Sequence, residues 1–402
     1  MIPVAEAIRF VQEQTPLLPV ESVPLAAARL RFLAEHIEAD SDLPPFNRSQ
    51  MDGYALRAAD VRHAPTTLPI AGESAAGRGW HHQLPEGAAV RIMTGAPVPE
   101  GADSVQQVEL TREVHDGNAV EILQVVSPGR SVVLRGSEIK KGQRVLSEGE
   151  LITAGATAVL ASFGYAQINV RRRPRVAVLA TGSELVDVRQ TPGQDQIRDS
   201  NNYSIAAYAE LAGATAKQMP LAGDDTKLLV RQIAEASEQS EIVVSSGGVS
   251  VGAYDFTKPA LRELGAEIFF ERVALRPGKP IVFARLPGGA LFFGLPGNPV
   301  SVAVTFNLFA RTSILKMQGA HQTELPELTA VLVNGVKPTA DRDSYLPAEL
   351  TTDSDGRMMV QALRWGGSSD FISFAGATAL IVVPMGPKAL EAGALVQVLR
   401  LP

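Results

Sequence analysis

The sequence predicts a multidomain chain of the α/β plus β class: a central α/β domain, a β-rich domain before it and a small β-domain after it. Three observations carry this. Between residues 175 and 318, strand-length apolar runs alternate with helical ones, the pattern of a mainly parallel sheet covered on both faces. From about 46 to 145 the chain is short apolar runs broken by Gly and Pro, such as LPIAGES, AVRIMTGAPVPEGA and AVEILQVV. After residue 325 it returns to short strands and turns with no helical period, as a small β-barrel or sandwich would.

Taken in order, Val4, Ile8 and Val11 sit at helical spacing, and the Ala-, Leu- and Arg-rich run 24–37 predicts a second helix. Pro44-Pro45 stops any helix there. Residues 150–164 predict a helix ended by Gly164. RRRPR at 171–175 reads as a solvated charged linker. Beyond it, strands are expected at 175–180, 214–219, 241–245, 267–273, 280–285 and 290–294. Helices are expected at 204–211, 226–237, 256–264 and 300–317, the last ending at Gly319.

Composition narrows the function classes. A chain of 402 residues is too long for one core. It has no cysteine, which excludes disulfides, thiolate-bound zinc, iron–sulfur clusters and cysteine nucleophiles and fits a reducing, cytoplasmic location. The amino terminus lacks the basic start and apolar core of a signal peptide. The longest apolar runs are strand-sized, so no membrane partner is expected. A formal net charge of −6 argues against a broad nucleic-acid surface, so an anionic ligand needs a local cluster of cations and amides. The six histidines show no metal-ligand spacing, and His81-His82 reads as a surface pair.

In open α/β sheets ligands bind beyond the carboxyl ends of the strands. Three small-residue loops fall there: Thr181-Gly182-Ser183-Glu184; Ser245-Ser246-Gly247-Gly248-Val249-Ser250-Val251-Gly252; and Leu295-Pro296-Gly297-Asn298-Pro299-Val300-Ser301. Any one of them is an ordinary tight turn. Three on one edge indicate a phosphate-bearing ligand approached by backbone amides. Glu184, Asp224, Asp225 and Asp255 lie at or after strand ends, an oxygen set that suits Mg²⁺ beside phosphate. Asp224-Asp225 equally suits the start of the following helix. Arg276-Pro277-Gly278-Lys279-Pro280 presents two cations on a stiff turn, suited to an oxyanion or equally to a surface turn. In the β-rich region, Asp52-Gly53 and Thr94-Gly95 lie in loops dense with unlike functional side chains.

Together the segments PPFNRSQMDGYALR, RIMTGAPVPEGADSV, TGSEL, SSGGVSVGAYDFTK, LRPGKP and FGLPGNPVS resemble the molybdopterin molybdenumtransferase family, including the gephyrin E domain. They occur in the family's order across nearly the whole chain. The resemblance implies four domains: an elongated helical unit from 1–45 and 141–173, a β-rich insertion at 46–140, a three-layer α/β molybdopterin-binding domain at 174–320 and a β-barrel at 321–402. It implies a homodimer whose cleft joins the central domain of one subunit to the Asp52 and Thr94 loops of the other. The implied reaction takes adenylylated molybdopterin and molybdate and releases molybdenum cofactor and AMP, with Mg²⁺ present. A molybdopterin adenylyltransferase and apo-molybdoenzymes are the implied partners.

Carried over position by position, Asp52, Thr94, Glu184 and Asp255 match catalytic positions, and Asp224, Asp255 and Glu184 the metal site. The substrate and oxyanion set is Gly182, Ser183, Ser246, Gly247, Gly248, Ser250, Arg276, Lys279, Pro296, Gly297, Asn298, Pro299, Ser301 and Arg342. Three departures stand out. Arg135-Gly136-Ser137-Glu138 replaces a common Arg-Gly-Glu-Asp, Arg276 stands where Lys is common, and Pro347 stands where the family's last domain often carries a further Arg. Two other readings are an adenylyltransferase, which shares the central unit alone, and a gephyrin-like scaffold.

Overall fold

The computed structural model describes residues 1–223, 225–249, 256–364 and 366–402. The chain divides into two compact units, one of residues 1–35, 148–154 and 167–402, the other of residues 36–147 and 155–166.

The larger unit is built on the predicted α/β alternation. In chain order it runs β1 (Arg175–Ala180), α1 (Asn201–Leu211), β2 (Thr215–Gln218), α2 (Thr226–Gln239), β3 (Ile242–Ser246), α3 (Thr257–Glu263), β4 (Glu267–Arg272), β5 (Pro280–Arg285), β6 (Leu291–Leu295) and α4 (Pro299–Thr305). The sheet order is β2-β1-β3-β6-β5-β4. The first four strands are parallel, and β5 and β4 are added antiparallel. Side chains alternate between faces along a strand, and the core divides accordingly. Val176 and Val178 pack with Ile205, Phe283, Phe293 and the amino-terminal helix Val4–Gln14. Ala177 and Leu179 pack with Leu229, Ile233, Leu261 and Phe292 on the other side. Burial on both faces is why these strands read as continuous apolar runs.

Beyond α4 the chain passes through a wide π-helical turn, Phe306–Ala310, into the helix Arg311–Met317, where a single helix was expected. Thr305, Asn307 and Thr312 all turn their side chains back onto carbonyls one turn earlier, at 2.7, 2.9 and 2.9 Å. Such back-bonding competes with the regular ladder. The tail forms β7 (Glu327–Leu332), β8 (Asp343–Thr352), β9 (Met358–Ala362), β10 (Ala379–Val383) and β11 (Leu395–Arg400). Because β8 pairs with both β9 and β10, the five strands close into a barrel around Leu332, Leu346, Val360, Ile381 and Val398.

Two expectations are corrected in this unit. Residues 24–37 form no α-helix. Val20–Pro24 is a strand antiparallel to Gln167–Arg171, followed by a 3₁₀ turn at Leu25–Ala27. The amides of Leu30 and Leu33 donate to Ile152 and Glu150, so cross-chain pairing overrides the helix propensity of the Ala, Leu and Arg run. Nor is RRRPR a solvated linker. Arg172 and Arg175 both bond Glu241, at 2.8 and 2.6 Å, and Arg173 reaches the Gly213 carbonyl.

The smaller unit carries a six-stranded sheet ordered Ser104–Gln107, Gly53–Leu56, Ala89–Ile92, Thr66–Ser74, Ala119–Ile122 and Thr111–Val114. Tyr54, Leu56, Leu68, Val120 and Ile122 form the core on one face. Ala55, Ile92, Ala96 and Val105 pack on the other. No helix of the described residues in either unit is long and apolar enough to cross a membrane.

Glu241 gives the fold a measurable signature. Burial opposes its ionisation, but the Arg175 and Arg172 guanidinium groups outweigh that and hold its carboxyl at about 2, against 4.5 for an ordinary Glu. A carboxyl depressed in the folded state contributes stability above its unfolded pKa and loses it as pH falls through the folded one. Glu241→Gln is therefore expected to lower the unfolding free energy at neutral pH by on the order of 2 kcal/mol. It should also flatten the loss of stability between pH 4.5 and 2. Denaturant melts across that range check it, and an unchanged slope refutes the assignment.

Candidate functional site

The site of the larger unit begins with strand register. Ala180 pairs with Ser246, and Ser246 with Leu295, so β1, β3 and β6 end side by side at one level. Everything the next residues carry is delivered to one edge. The Thr181 amide donates to the Ser246 carbonyl at 3.0 Å, and the Gly247 amide to the Leu295 carbonyl at 3.1 Å, stitching the three loop starts together. Gly247 has φ +87°, and a Cβ there would strike the Thr181 carbonyl and lie 2.9 Å from Thr181 Oγ1. Gly248, at φ +63°, would bring a Cβ 2.9 Å from the same hydroxyl and 3.0 Å from Thr257 Oγ1. Glycine is thus demanded at both positions by conformation and by space.

Beneath this edge lie buried hydroxyls. The Oγ atoms of Ser245 and Ser246 and the Oγ1 of Thr257 have no hydrogen-bond partner among the described residues. Ser183 and Glu184 stand exposed above it, at the end of the first loop. The third loop is held from α1: Asn201 Nδ2 donates to the Gly297 carbonyl at 2.8 Å. Pro296 is buried, Gly297 and Asn298 are exposed, and Pro299 opens α4. Ser301 lies one position past Val300, whose amide is already taken by the Ser368 carbonyl at 3.1 Å, while Asn298 Nδ2 donates to Ser368 Oγ at 2.7 Å. The start of α4 therefore has fewer free donors than the sequence implies.

The cationic turn comes to the same helix. A Cβ on Gly278, at φ +117°, would lie 3.2 Å from Leu275 and closer still to Thr305, whose hydroxyl bonds the Ser301 carbonyl at 2.7 Å. Arg276 is exposed and Lys279 half-buried, and neither is paired with a carboxylate among the described residues. Leu275 and Arg276 form a short parallel ladder with Asp343 and Ser344 of β8, which brings the neighbouring Arg342 to this turn. Arg342 makes one long ion pair, from its Nε to Asp341 at 3.6 Å, and that buried Nε has no hydrogen-bond partner among the described residues.

The acids behave differently from one another. Asp225 caps α2, accepting from the amides of Lys227 and Leu228 at 2.9 and 3.1 Å. Asp224, Ser250 and Asp255 lie outside the described residues. Among the described residues no three His, Cys, Asp or Glu gather as a metal site. The structure adds residues that sequence reasoning missed. Asp199, Asn201 and Asn202 are buried at the head of α1, and burial pushes the Asp199 carboxyl up against the Asn202 amide bond that lowers it. The run Asp199-Ser200-Asn201-Asn202 at a helix start was the available signal, but it reads as an ordinary cap.

In the smaller unit, Asp52 and Thr94 come together. Asp52 Oδ1 accepts from the Thr94 amide at 2.6 Å and from its hydroxyl at 2.8 Å, and both hold the carboxyl below its ordinary range. Arg135 bonds Asp42 and Glu138 pairs with Arg48, so the departure at 135–138 leaves those residues in surface ion pairs.

Residues 2–164 match a family described as the MoeA N-terminal region (domain I and II), 177–316 a probable molybdopterin binding domain, and 329–401 the MoeA C-terminal region (domain IV). A Staphylococcus aureus protein named molybdopterin molybdenumtransferase is 34% identical over 402 residues, covering 99% of this chain and 95% of its own. The chain belongs to the molybdopterin molybdenumtransferase family. A Bacillus subtilis member is likewise 34% identical over 404 residues, covering 99% and 94%. A crystal structure of the molybdopterin biosynthesis MoeA protein of Pyrococcus horikoshii aligns over 100% of this chain and 99% of its own, with a TM-score of 0.81 and 30% identity. The fold class expected from sequence is that of this family.

The glycine requirement can be tested directly. Gly247→Ala should cost at least ~1–2 kcal/mol from its left-handed backbone alone. It should also speed amide exchange at Thr181 and Gly247, whose bonds stitch the loops. Wild-type protection at both amides would show that the close approach is dispensable.

Proposed function

We propose that this protein is a molybdopterin molybdenumtransferase, inserting molybdate into adenylylated molybdopterin to give molybdenum cofactor and AMP. One observation carries the reading: the strands before three small-residue loops end in register beside a turn whose cations are paired with no carboxylate among the described residues. Kinship along the whole chain to relatives bearing that name supports it. In this reading the two loops that carry Gly182, Ser183, Ser246, Gly247, Gly248 and Ser250 receive the molybdopterin and its phosphates. Pro296, Gly297, Asn298, Pro299 and Ser301, with Arg276, Lys279 and Arg342, take the oxyanion. Cleaving a phosphoanhydride leaves charge on the departing AMP, and amides and cations already in place stabilise it without reorganising.

Asp52, Thr94, Glu184 and Asp255 are proposed to act at the reacting centre. Asp52, ionised and fixed by Thr94, can accept a proton or orient a hydroxyl through its second oxygen. Mg²⁺ held by Glu184, Asp224 and Asp255 would neutralise the phosphates. A cytoplasmic homodimer of four-domain chains completes the proposal, with Asp52 and Thr94 of one protomer serving the loops of its partner.

An anaerobic assay with adenylylated molybdopterin, molybdate and Mg²⁺ tests the reaction, and no AMP release above background refutes it. Molybdate is a dianion, so Lys279→Ala should raise the molybdate concentration for half-maximal turnover about tenfold, as loss of ~1.4 kcal/mol would. Arg342→Ala should act in the same direction. Binding of adenylylated molybdopterin should change much less in both. For the dimer, inactive Asp52→Ala and Asp255→Ala chains should regain part of their activity on mixing once subunits exchange. No recovery despite exchange would place both residues in one protomer's site.

A further inference from the structure

We infer that the smaller unit carries its own binding site for the flat ring of a pterin. The site is a cavity of about 760 Å³, inside the range of small-molecule pockets, whose lining includes Phe46, Asn47, Trp80, His81, Pro97 and Glu100. Its walls combine the rings of Phe46, Trp80 and His81 with the polar groups of Asn47 and Glu100, and Phe46 is 41% exposed although large and hydrophobic. The walls are held in place. Ser74 Oγ donates to the Pro97 carbonyl at 2.7 Å and accepts from the Trp80 amide at 3.3 Å, fixing the Trp80 and Pro97 sides to each other. The Val98 amide donates to the Asn47 carbonyl at 2.8 Å, and the Leu84 amide to the Glu100 carbonyl at 2.8 Å. The backbone at Gly79 runs close to two of the walls: a Cβ there would sit 2.9 Å from the His81 ring and 3.0 Å from Pro97.

The charge of the site selects its ligand. No Lys or Arg lines the cavity and the Glu100 carboxylate does, which disfavours a phosphate or oxyanion. Glu100 is a lining carboxylate with no ion pair or side-chain hydrogen bond to a described residue. A carboxylate only accepts, and two adjacent N–H groups in one plane satisfy it best. Aromatic walls favour a stacked π-face. A heterocycle with a 2-amino-4-oxopyrimidine edge offers both. Pterin and guanine share that edge, and the choice of pterin rests on the molybdopterin reading above.

The test is equilibrium binding of free neopterin to the full chain, read by tryptophan quenching and calorimetry without any turnover. Saturable binding is expected, with Glu100→Gln weakening it at least tenfold and Trp80→Phe largely retaining it. Lumazine, which carries an oxygen in place of the 2-amino group, should bind at least tenfold more weakly than neopterin. Guanosine should compete poorly. Tighter binding of guanosine would assign the cavity to a guanine ligand, and equal binding of lumazine would remove Glu100 from recognition. No saturation by neopterin in a protein that still transfers molybdenum overturns this site alone. Neopterin binding in a protein without transferase activity overturns the proposed reaction and leaves the site standing.

Discussion

The register of β1, β3 and β6 is the constraint on which the larger unit's chemistry depends. A slip of one residue in a strand would exchange its two faces, sending Val176 and Val178 to the side that now holds Ala177 and Leu179. Both faces are buried, so that slip is penalised across the whole strand. The apolar packing thereby fixes where each strand stops, and Thr181, Gly247 and Pro296 emerge at one level. The amide bonds between loop starts then add local stiffness to an alignment already set by the core.

The polar atoms at that edge follow from the same geometry. A strand buried on both faces has no room for charge, and its last positions carry Ser245 and Ser246 instead, small hydroxyls that a ligand or a neighbouring loop can satisfy. At this edge charge appears in the segments outside the sheet's strands, in Glu184 of the first loop and in Lys279 and Arg276 of the turn. The chain is acidic overall, yet the cations on this turn have no carboxylate to neutralise them among the described residues. Local arrangement rather than net charge therefore governs what such an edge attracts.

Much of the central α/β unit was legible in the sequence because its apolar runs are long, regular and bounded by glycine. The failures share one cause. Residues 24–37 have helical composition, but their backbone amides are claimed by Ile152 and Glu150, which are distant in sequence. RRRPR looks solvated until Glu241 is brought between Arg172 and Arg175. Asp199, Asn201 and Asn202 look like a cap, and only the fold buries them and brings Asn201 to the Gly297 carbonyl. Each depends on a partner that no local window contains. Asp225 is the converse case: its capping role needs only the next three residues, and the sequence offered it as one of two readings.

The barrel bears on the site through backbone rather than through a conserved-looking side chain. The ladder between Leu275–Arg276 and Asp343–Ser344 fixes the approach of β8 to the cationic turn, whatever residues follow. Pro347, the departure from the family pattern, lies further along β8, buried and paired with Leu380. Alternation puts it on the face of Tyr345, opposite Leu346 and Ala348, which fill the barrel. Tyr345 packs into the core of the α/β sheet, where its hydroxyl is pushed up by burial and by Asp343, Glu324 and Glu327. A cation at 347 would enter that face, whereas proline adds apolar surface to it. The barrel thus gives up one charge for packing and keeps Arg342 at the turn, because the position of Arg342 is set by the ladder that begins at the next residue, Asp343.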